Sequence, residues 1–525
     1  MVSPWKKIGP GGPSADTVPI PHARVPRPPA GAPPLTRMPR PSHIPLAPAQ
    51  ERMWRAAQQG RAADWNVVRA LRIRGARLDA AALRGALADV IARHLPLRTR
   101  FPLTERGPAQ IVLPSAAELP VIALRPNELP GRLAGFAAEE MDLATGPPLR
   151  AALFVLTEQD AVLALSIHHI AFDGRSMFPF TRDLITAYHA RVAGQPPVWA
   201  PLPVDYLDYT LWKHARLGDY ADPASQATQQ LRYWSNTLAG RPCPLNFPYD
   251  RPRPALPDTR GDTIAVAFDS AVHRGLLTRA RQAGASVFMV LQAALALTVG
   301  AFARCPDVTV ATAVSGRDHR LLRDLVGNFA DDVLLRLRLD RVHEVDALLD
   351  HARRVTLAAF AHPDTPNHRV KRCLPEDPAH PLFQATLILE QATVRPSSPH
   401  PATGLSVTEV PTGVVRAKHD LEFALTQRYR PDGTATGIDG LLIYPIALFD
   451  RATTTRFLER FATTVRMLAD GYRGTLTPLL AIPESRCRPT QPTVIRQPTT
   501  LDAARADLGT AAADPVAPPG VLGHS

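Results

Sequence analysis

Apolar residues follow a helical spacing in several stretches of the chain. One stretch begins after Asp79, a residue that can cap the first turn of a helix. The residues that follow place their apolar side chains on one face of a helix. They are Leu83, Leu87, Val90, Ile91 and His94. A similar pattern predicts helices at residues 175–192 and 456–469.

The longest apolar run is Val287–Ala303. Its 17 residues include Gln292 and Thr298, so the run is too short and too polar for a membrane span. We therefore predict a buried core helix that begins after Ser286, which can cap it.

Short apolar runs predict buried strands between these helices. The clearest run is residues 161–169, which ends in two histidines before Gly174 breaks the pattern. Further strands are predicted at residues 308–314, 334–339, 385–389 and 441–444. The alternation of helix and strand signals predicts a mixed α/β fold class.

Proline is unusually frequent, at 55 of 525 residues, and it is concentrated at the two ends of the chain. Residues 1–42 and 485–525 have neither helical nor strand spacing. We predict that both ends are disordered, as a Pro-rich N-terminal arm and a C-terminal tail.

The net charge of +12 is compatible with a polyanion binder, but its distribution argues against one. Only five of the 60 basic residues are lysines, and no run of five basic residues occurs. A nucleic-acid binder is expected to show a basic patch or stripe, and an aromatic content of only 6% argues against a surface built for stacking on bases. We expect no nucleic-acid partner. Nucleic-acid binding is a remote alternative, which salt-sensitive retention on DNA would support.

Four cysteines occur without a CxxC pair, so the spacing indicates neither a zinc site nor a redox motif. The first residues contain two lysines and lead into proline and glycine without an apolar segment, unlike a signal peptide. We expect a cytoplasmic protein that has no membrane association.

One segment, HHIAFDG at residues 168–174, combines groups that can do chemistry. Successive strand residues face opposite sides, so only one of His168 and His169 can face a given cleft. A neutral imidazole there is a suitable base. Asp173 lies in an apolar context and requires a cationic partner, while Gly174 permits a tight turn and close backbone approach. Alone, the segment fits a packed histidine pair equally well.

Together with other segments in the same order, this motif resembles the condensation domains of nonribosomal peptide synthetases. HHIAFDG matches the family's HHxxxDG in full. The other similar segments are LAPAQERMW at 46–54, RHLPLRTRF at 93–101, YLDYTLW at 206–212, PYDRPRP at 248–254, VGNFADD at 326–332, HPLFQ at 380–384 and KHDL at 418–421. The resemblance covers about residues 43–482.

The resemblance implies a fold of two chloramphenicol-acetyltransferase-like lobes, which form a V-shaped pseudo-dimer around an active-site tunnel. The N-terminal lobe is expected at residues 43–220 and the C-terminal lobe at 221–484. Carrier proteins of the family deliver thioester substrates on phosphopantetheine arms. We therefore expect donor and acceptor carrier proteins as partners, no cofactor or metal bound by this chain, and a monomer.

The resemblance also implies roles for residues of the motif. His169 is expected to face the tunnel as the catalytic histidine, and His168 to pack beside it. Asp173 is expected to pair with an arginine, for which Arg98 is the candidate. Gly174 completes the motif.

The implied function is that of a freestanding enzyme of natural-product biosynthesis, which joins a carrier-bound acyl or aminoacyl thioester to an amine. Two alternatives stay open within the superfamily: an ester-forming enzyme and an acyltransferase that uses coenzyme A as donor. A non-catalytic module that recruits carrier proteins is a third alternative, although such relatives have a damaged HHxxxDG.

The sequence departs from the family pattern at Asp331 and Asp332, where an asparagine and a threonine are usual. Acids at this point would favour a cationic acceptor, mark a divergent subfamily, or simply lie in a solvated loop. Of the two, Asp331 is the candidate substrate contact. The departure leaves open whether the acceptor is an amine or an alcohol.

Overall fold

The computed structural model describes residues 33–75, 77–114, 118–242, 245–254, 256–374, 381–393 and 405–481. Helices and strands alternate along these residues, as the apolar pattern predicts. The helices are α1 (Pro48–Gln58), α2 (Ala80–Arg93), α3 (Leu129–Ala138), α4 (Met177–Val192), α5 (Tyr206–Leu217), α6 (Gln226–Leu238), α7 (Ser270–Gln282), α8 (Val287–Ala303), α9 (Val345–Phe360), α10 (Asn367–Arg372), α11 (Arg451–Ala469) and α12 (Thr477–Leu480).

The strands form two main sheets and two short hairpin-like pairs. They are β1 (Asn66–Gly75), β2 (Thr99–Arg100), β3 (Leu103–Thr104), β4 (Gly107–Pro108), β5 (Ile111–Val112), β6 (Val121–Ala123), β7 (Leu149–Thr157), β8 (Asp160–His168), β9 (Gly261–Phe268), β10 (Asp307–Val314), β11 (Asp331–Arg338), β12 (Ala385–Thr393), β13 (Leu405–Glu409), β14 (Leu421–Tyr429) and β15 (Ala435–Pro445).

The first sheet has the strand order β13-β1-β8-β7-β6. Strand β8 is central, and it pairs antiparallel with both β1 and β7. Strand β13 comes from the second half of the chain and pairs with β1 from Leu71↔Glu409 to Gly75↔Leu405. The lobe boundaries at 220 and 484 stay a prediction, but the region expected to form the second lobe does contribute a strand to the first sheet.

The second sheet has the strand order β11-β10-β12-β14-β15-β9. Its central strands β10, β12 and β14 are parallel, and the outer pairs are antiparallel. Helix α8 is buried along almost its whole length and packs against α7, α9 and α11. Ser286 caps α8 through the Met289 backbone amide, so the predicted core helix is confirmed.

The helix predicted after Asp79 is also confirmed. Asp79 accepts a hydrogen bond from the Ala82 amide at 2.9 Å and so caps α2. The apolar face of α2 is buried against α4 and the first sheet. This packing places α4, and the turn that leads into it from β8, on one side of the first sheet.

The predicted disorder of residues 1–42 is wrong for residues 33–42, which pack against α5. Trp212 on α5 donates a hydrogen bond from Nε1 to the Pro33 carbonyl at 2.7 Å, and Leu35 is 5% exposed. Arg40 pairs with Asp205 at 2.6 Å. Burial of Leu35 and these polar contacts offset the conformational entropy that is lost when the segment becomes ordered. The proline-rich composition alone had led us to predict disorder. Residues 1–32 and the predicted tail, 485–525, lie outside the described residues.

Within the described ranges, no single helix is both long and apolar enough to cross a membrane. Helices α7 and α8 meet that test only as a pair, which is bent by 99°.

Candidate active site

The two histidines lie at the C-terminal end of β8, the central strand of the first sheet. The strand ends at His168, and His169 begins a short 3-10 turn, His169–Ala171. His168 is fully buried, and its Nδ1 accepts a hydrogen bond from the Ile170 amide at 3.1 Å. Burial lowers the pKa of His168 to about 3. The His168 ring is therefore neutral, and its hydrogen bond with the Ile170 amide stabilises the turn.

His169 points the other way and is only half-buried. Its ring meets the edge of Trp65, with ring centroids 6.0 Å apart. Nδ1 is buried and has no hydrogen-bond partner among the described residues. Burial, together with the charges of Lys418 and Arg52, lowers the pKa of His169 well below its usual value. The prediction of one packed and one accessible histidine agrees with this arrangement.

Asp173 is 1% exposed and joins two distant parts of the chain. Its Oδ1 accepts hydrogen bonds from the amide and hydroxyl of Ser176, both at 2.8 Å. Its Oδ2 accepts one from the Phe329 amide at 3.1 Å. Ser176 Oγ in turn accepts a hydrogen bond from the Gly327 amide at 3.0 Å and lies 2.8 Å from the Gly327 carbonyl oxygen. The turn after β8 is thus tied to the loop before β11.

The cation that pairs with Asp173 is Arg317, and the expectation of Arg98 is wrong. Nη2 of Arg317 lies 2.9 Å from Asp173 Oδ1, and Nη1 donates to the carbonyls of Leu322 and Leu325. Arg98 instead donates to the Leu113 carbonyl. Arg98 lies in RHLPLRTRF, beside the short strand pair of β2 and β5, and so braces that pair rather than the turn after β8.

The glycine that packing requires is Gly327 rather than Gly174. A Cβ on Gly174 would lie 3.7 Å from Glu390 Oε1, an ordinary contact, and its φ is not left-handed. The close backbone approach expected at Gly174 is therefore absent. A Cβ on Gly327 would lie 2.1 Å from the ring of Tyr206. Tyr206 donates its hydroxyl proton to the Asn328 carbonyl, so α5 presses directly on this loop.

Trp65 carries two cations close to His169. Arg52 on α1 lies with Cζ 4.7 Å from the centre of the Trp65 ring, and Lys418 lies with Nζ 4.8 Å from it. Such contacts with an aromatic face stabilise a cation. Burial and the nearby Arg52 charge lower the pKa of the Lys418 amine, whereas Glu422 opposes that shift. Two cations from different parts of the chain therefore converge beside the accessible histidine.

The two acids that depart from the family pattern begin β11. Asp332 forms an ion pair with Arg52. Burial opposes the ionisation of Asp332, but the charges of Arg52 and His419 outweigh it and lower the pKa. Burial raises the pKa of Asp331 to about 7, and the charge of Asp332 adds to that rise while Arg52 opposes it. The pKa of Asp331 is therefore raised, whereas the pKa of the neighbouring Asp332 is lowered.

Four titratable side chains of this arrangement are partly buried. Part of each side chain is accessible, yet burial is the largest influence on the pKa of each group. They come from the turn after β8, from β11 and from the segment before β14. The groups are His169, Asp331, Asp332 and Lys418.

Sequence reasoning missed four residues of this arrangement: Arg52, Trp65, Arg317 and Lys418. Arg52 and Lys418 lie inside the segments LAPAQERMW and KHDL, so motif membership was a usable signal for them. Nothing in the local sequence distinguishes Trp65 or Arg317, because their roles depend on contacts with residues far along the chain.

Within the described ranges, no group of three His, Cys, Asp or Glu side chains is arranged to hold a metal ion. Cys305 and Cys373 are free thiols, and Cys243 and Cys487 lie outside the described residues.

Comparison with known proteins gives a family match and several similar relatives. The family model "Condensation domain" matches residues 41–485. CymA, a nonribosomal peptide synthetase of Salinispora arenicola (strain CNS-205), is 39% identical over 447 residues. That match covers 83% of this chain and 6% of CymA. The dimodular nonribosomal peptide synthase of Bacillus subtilis (strain 168) is 37% identical, over 82% of this chain and 18% of its own length. The chain thus spans less than a fifth of each of these relatives.

Among solved structures, the X-domain in its complex with OxyB from teicoplanin biosynthesis is similar along its whole length. The TM-score is 0.78 and the identity is 33%, covering 86% of this chain and 99% of the X-domain. The mixed α/β, two-lobed fold class that the sequence predicts is confirmed by this similarity.

Proposed function

The chain belongs to the condensation-domain family, and from this premise we propose that it joins a thioester-bound acyl or aminoacyl group to an amine and so forms an amide. The observation that supports this proposal most directly is His169. Its ring is neutral, its Nδ1 is buried, and its Nε2 is left for a substrate beside two cations and two acids.

In the proposed reaction, the lone pair of the acceptor amine attacks the carbonyl carbon of the thioester. The C–N bond forms, the C–S bond breaks, and the proton lost by the amine ends on the departing thiolate. Nε2 of His169 accepts a hydrogen bond from the amine and passes its proton on. A positioned histidine in this role typically contributes about 10²–10⁴ in rate.

The charges around His169 disfavour a protonated imidazole, so the ring holds the proton of the amine only transiently. Lys418 and Arg52 make a positive charge on the ring unfavourable, so the imidazole holds the amine in place and does not retain the proton. Confinement of both reactants in one space supplies a further, larger part of the rate, up to about 7–11 kcal/mol of the barrier.

We further propose that the donor arrives on the phosphopantetheine arm of a separate carrier protein. The relatives named above are peptide synthetases, and this chain corresponds to a small part of each. In this proposal the chain itself binds no cofactor, and its substrates bring their own thioester.

The test is an acylation assay followed by intact-mass spectrometry. Wild type and His169→Ala are mixed with octanoyl-loaded carrier protein and a panel of amines and alcohols. His343→Ala, which removes an exposed histidine in the loop before α9, is the matched control. We expect an amide product from wild type and His343→Ala, and a loss of at least about 100-fold in His169→Ala.

Other outcomes identify the alternatives. An ester product assigns an alcohol acceptor, and product from octanoyl coenzyme A without carrier assigns the acyltransferase alternative. Equal rates in wild type and His169→Ala would contradict the role given to His169.

A protein-recruitment module is the second candidate, and the similarity to the X-domain favours it. That domain is known in complex with another protein, OxyB, and is 33% identical to this chain. Carrier binding without any product, unchanged in His169→Ala, would support recruitment in place of catalysis.

A further inference from the structure

Lys418 lies in a segment before β14 whose backbone is held by hydrogen bonds. The amides of Lys418 and His419 both donate to Oε1 of Glu422, the second at 3.0 Å. The next residue, Asp420, is 4% exposed and accepts a hydrogen bond from the Tyr249 hydroxyl at 2.5 Å. The backbone that carries the Lys418 side chain is therefore fixed on both sides.

The Lys418 side chain reaches the same indole that contacts the histidine of the motif. Nζ lies 4.8 Å from the centre of the Trp65 ring, and the centroid of the His169 ring lies 6.0 Å from that of Trp65. Both Lys418 and His169 are half-buried. An ammonium and the motif histidine thus share one aromatic side chain, although they come from different halves of the chain.

The two cations on Trp65 differ in their partners. Arg52 lies with Cζ 4.7 Å from the ring centre and forms an ion pair with Asp332. Nζ of Lys418 forms no hydrogen bond or ion pair with any residue in the described ranges. The ammonium is therefore the cation beside His169 that is available to a bound group.

The acids nearest to Lys418 are engaged elsewhere. The charges of Glu422, Asp332 and Asp64 act on the Lys418 amine. Oε1 of Glu422 accepts the two amides, Asp332 is held in the ion pair above, and Asp64 pairs with Arg61 at 3.0 Å. A partly buried cation without an anion of its own is costly, and a negative charge on a bound group removes that cost.

The reaction proposed above creates such a negative charge. As the amine attacks, the π electrons of the thioester carbonyl move to its oxygen, which becomes an oxyanion. When these electrons return, the C–S bond breaks and the oxygen is neutral again. A donor placed at this oxygen keeps its own protons, and the loss of one such donor typically lowers kcat by about 10²–10³.

We propose that the Lys418 ammonium donates a hydrogen bond to the carbonyl oxygen of the thioester and stabilises the oxyanion that forms there. The inference rests on the proposed function, because it assigns a further catalytic residue to the same site. In this arrangement His169 acts on the amine, and Lys418 acts on the carbonyl that the amine attacks.

Kinetics of matched variants test the proposal. Lys418→Met and Lys418→Gln remove the charge, whereas Lys418→Arg keeps it. Arg281→Met, at an exposed position on α7, is the control. Acylation of the amine by octanoyl-loaded carrier protein is followed at pH 7.5, and kcat and KM are determined separately.

We expect kcat to fall by about 10²–10³ in both uncharged variants, with KM within about threefold of wild type and an unchanged melting temperature. Lys418→Arg should recover at least about tenfold of that loss, and Arg281→Met should match wild type. A purely structural role would lower the melting temperature or raise KM instead, and that result overturns the proposal.

Two phosphonates test the anion site without turnover. Methyl octylphosphonate is a tetrahedral monoanion, and dimethyl octylphosphonate is its neutral ester. In titration calorimetry, wild type and Lys418→Arg should bind the anion at least about tenfold more tightly than the ester, whereas Lys418→Met should bind both equally. Equal affinity of wild type for the two phosphonates, including no binding of either, overturns the role of Lys418.

Failure of the inference is distinguishable from failure of the proposed function. Amide formation at the wild-type kcat in both uncharged variants overturns the role of Lys418 and leaves the proposed reaction intact. A preference for the anion that depends on Lys418, without any acylation, supports the anion site and counts against the proposed reaction.

Discussion

Asp173 and Arg317 are 144 positions apart in the chain, yet their side chains meet in a buried ion pair at 2.9 Å. The guanidinium also lies over the ring of Phe329, with Cζ 4.1 Å from its centre, and Phe329 donates its amide to Asp173. The aspartate of the HHxxxDG motif therefore holds the loop before β11 against the turn after β8.

Arg317→Ala should lower the free energy of unfolding by about 3–5 kcal/mol, because it leaves the buried charge of Asp173 without its cation. Arg98→Ala is the control, since Arg98 only donates to the Leu113 carbonyl, and its loss should cost about 1 kcal/mol. Urea unfolding measures both. A larger loss in Arg98→Ala than in Arg317→Ala would contradict the assigned pairing.

His168 should make the protein less stable as the pH falls below 6.5. Its pKa is about 3 in the folded chain and near 6.5 when unfolded, so only the unfolded chain takes up the proton in that range. The loss is about 1.4 kcal/mol per pH unit, and stability from this source is intact above pH 6.5.

His168→Asn checks this, because its side chain can accept from the Ile170 amide but cannot titrate. The stability advantage of wild type over His168→Asn should shrink by about 2 kcal/mol between pH 6.5 and pH 5. Denaturant unfolding at the two pH values gives the difference, and a constant advantage would refute the assignment.

Two glycine substitutions should have different effects. Gly327→Ala brings a methyl group to 2.1 Å from the Tyr206 ring, so α5 or the loop must shift, and we expect destabilisation of about 1–3 kcal/mol or more. Gly174→Ala meets only an ordinary contact at 3.7 Å and should stay within about 0.5 kcal/mol of wild type. Thermal unfolding distinguishes them, and equal melting temperatures would count against the close packing at Gly327.

Leu35→Ala tests the correction made to the N-terminal arm. Leu35 lies outside the family match of residues 41–485, yet it packs with Leu322 and Leu325, whose carbonyls accept from Arg317. We expect a loss of about 2–5 kcal/mol, typical for a buried leucine. Leu103→Ala, at a 64% exposed position, is the control and should be nearly neutral in the same unfolding experiment.

Local signals predicted the framework of the site well. The apolar faces of α2 and α8, their caps at Asp79 and Ser286, and the run that forms β8 are properties of neighbouring residues, which periodicity can read. The HHxxxDG segment also located the two histidines, but His169 lies in the turn that follows β8, so the exposure of its ring depends on that turn.

Proline content misled the reading of residues 33–42. A proline-rich segment lacks the spacing of helices and strands, but it can still bury a single leucine and accept a hydrogen bond from a tryptophan. Composition describes the average behaviour of such a segment, whereas packing depends on the surface that α5 presents to it.

The sequence by itself therefore determined the helices and strands that apolar spacing marks, such as α2, α8 and β8, since these depend on spacing along a few turns or residues. Only the tertiary structure decided which of many arginines pairs with Asp173 and which acid pairs with Arg52. Those pairings are made between residues brought together by β11, α1 and the turn after β8. Their energies depend on distance and burial, which the order of residues along the chain does not specify.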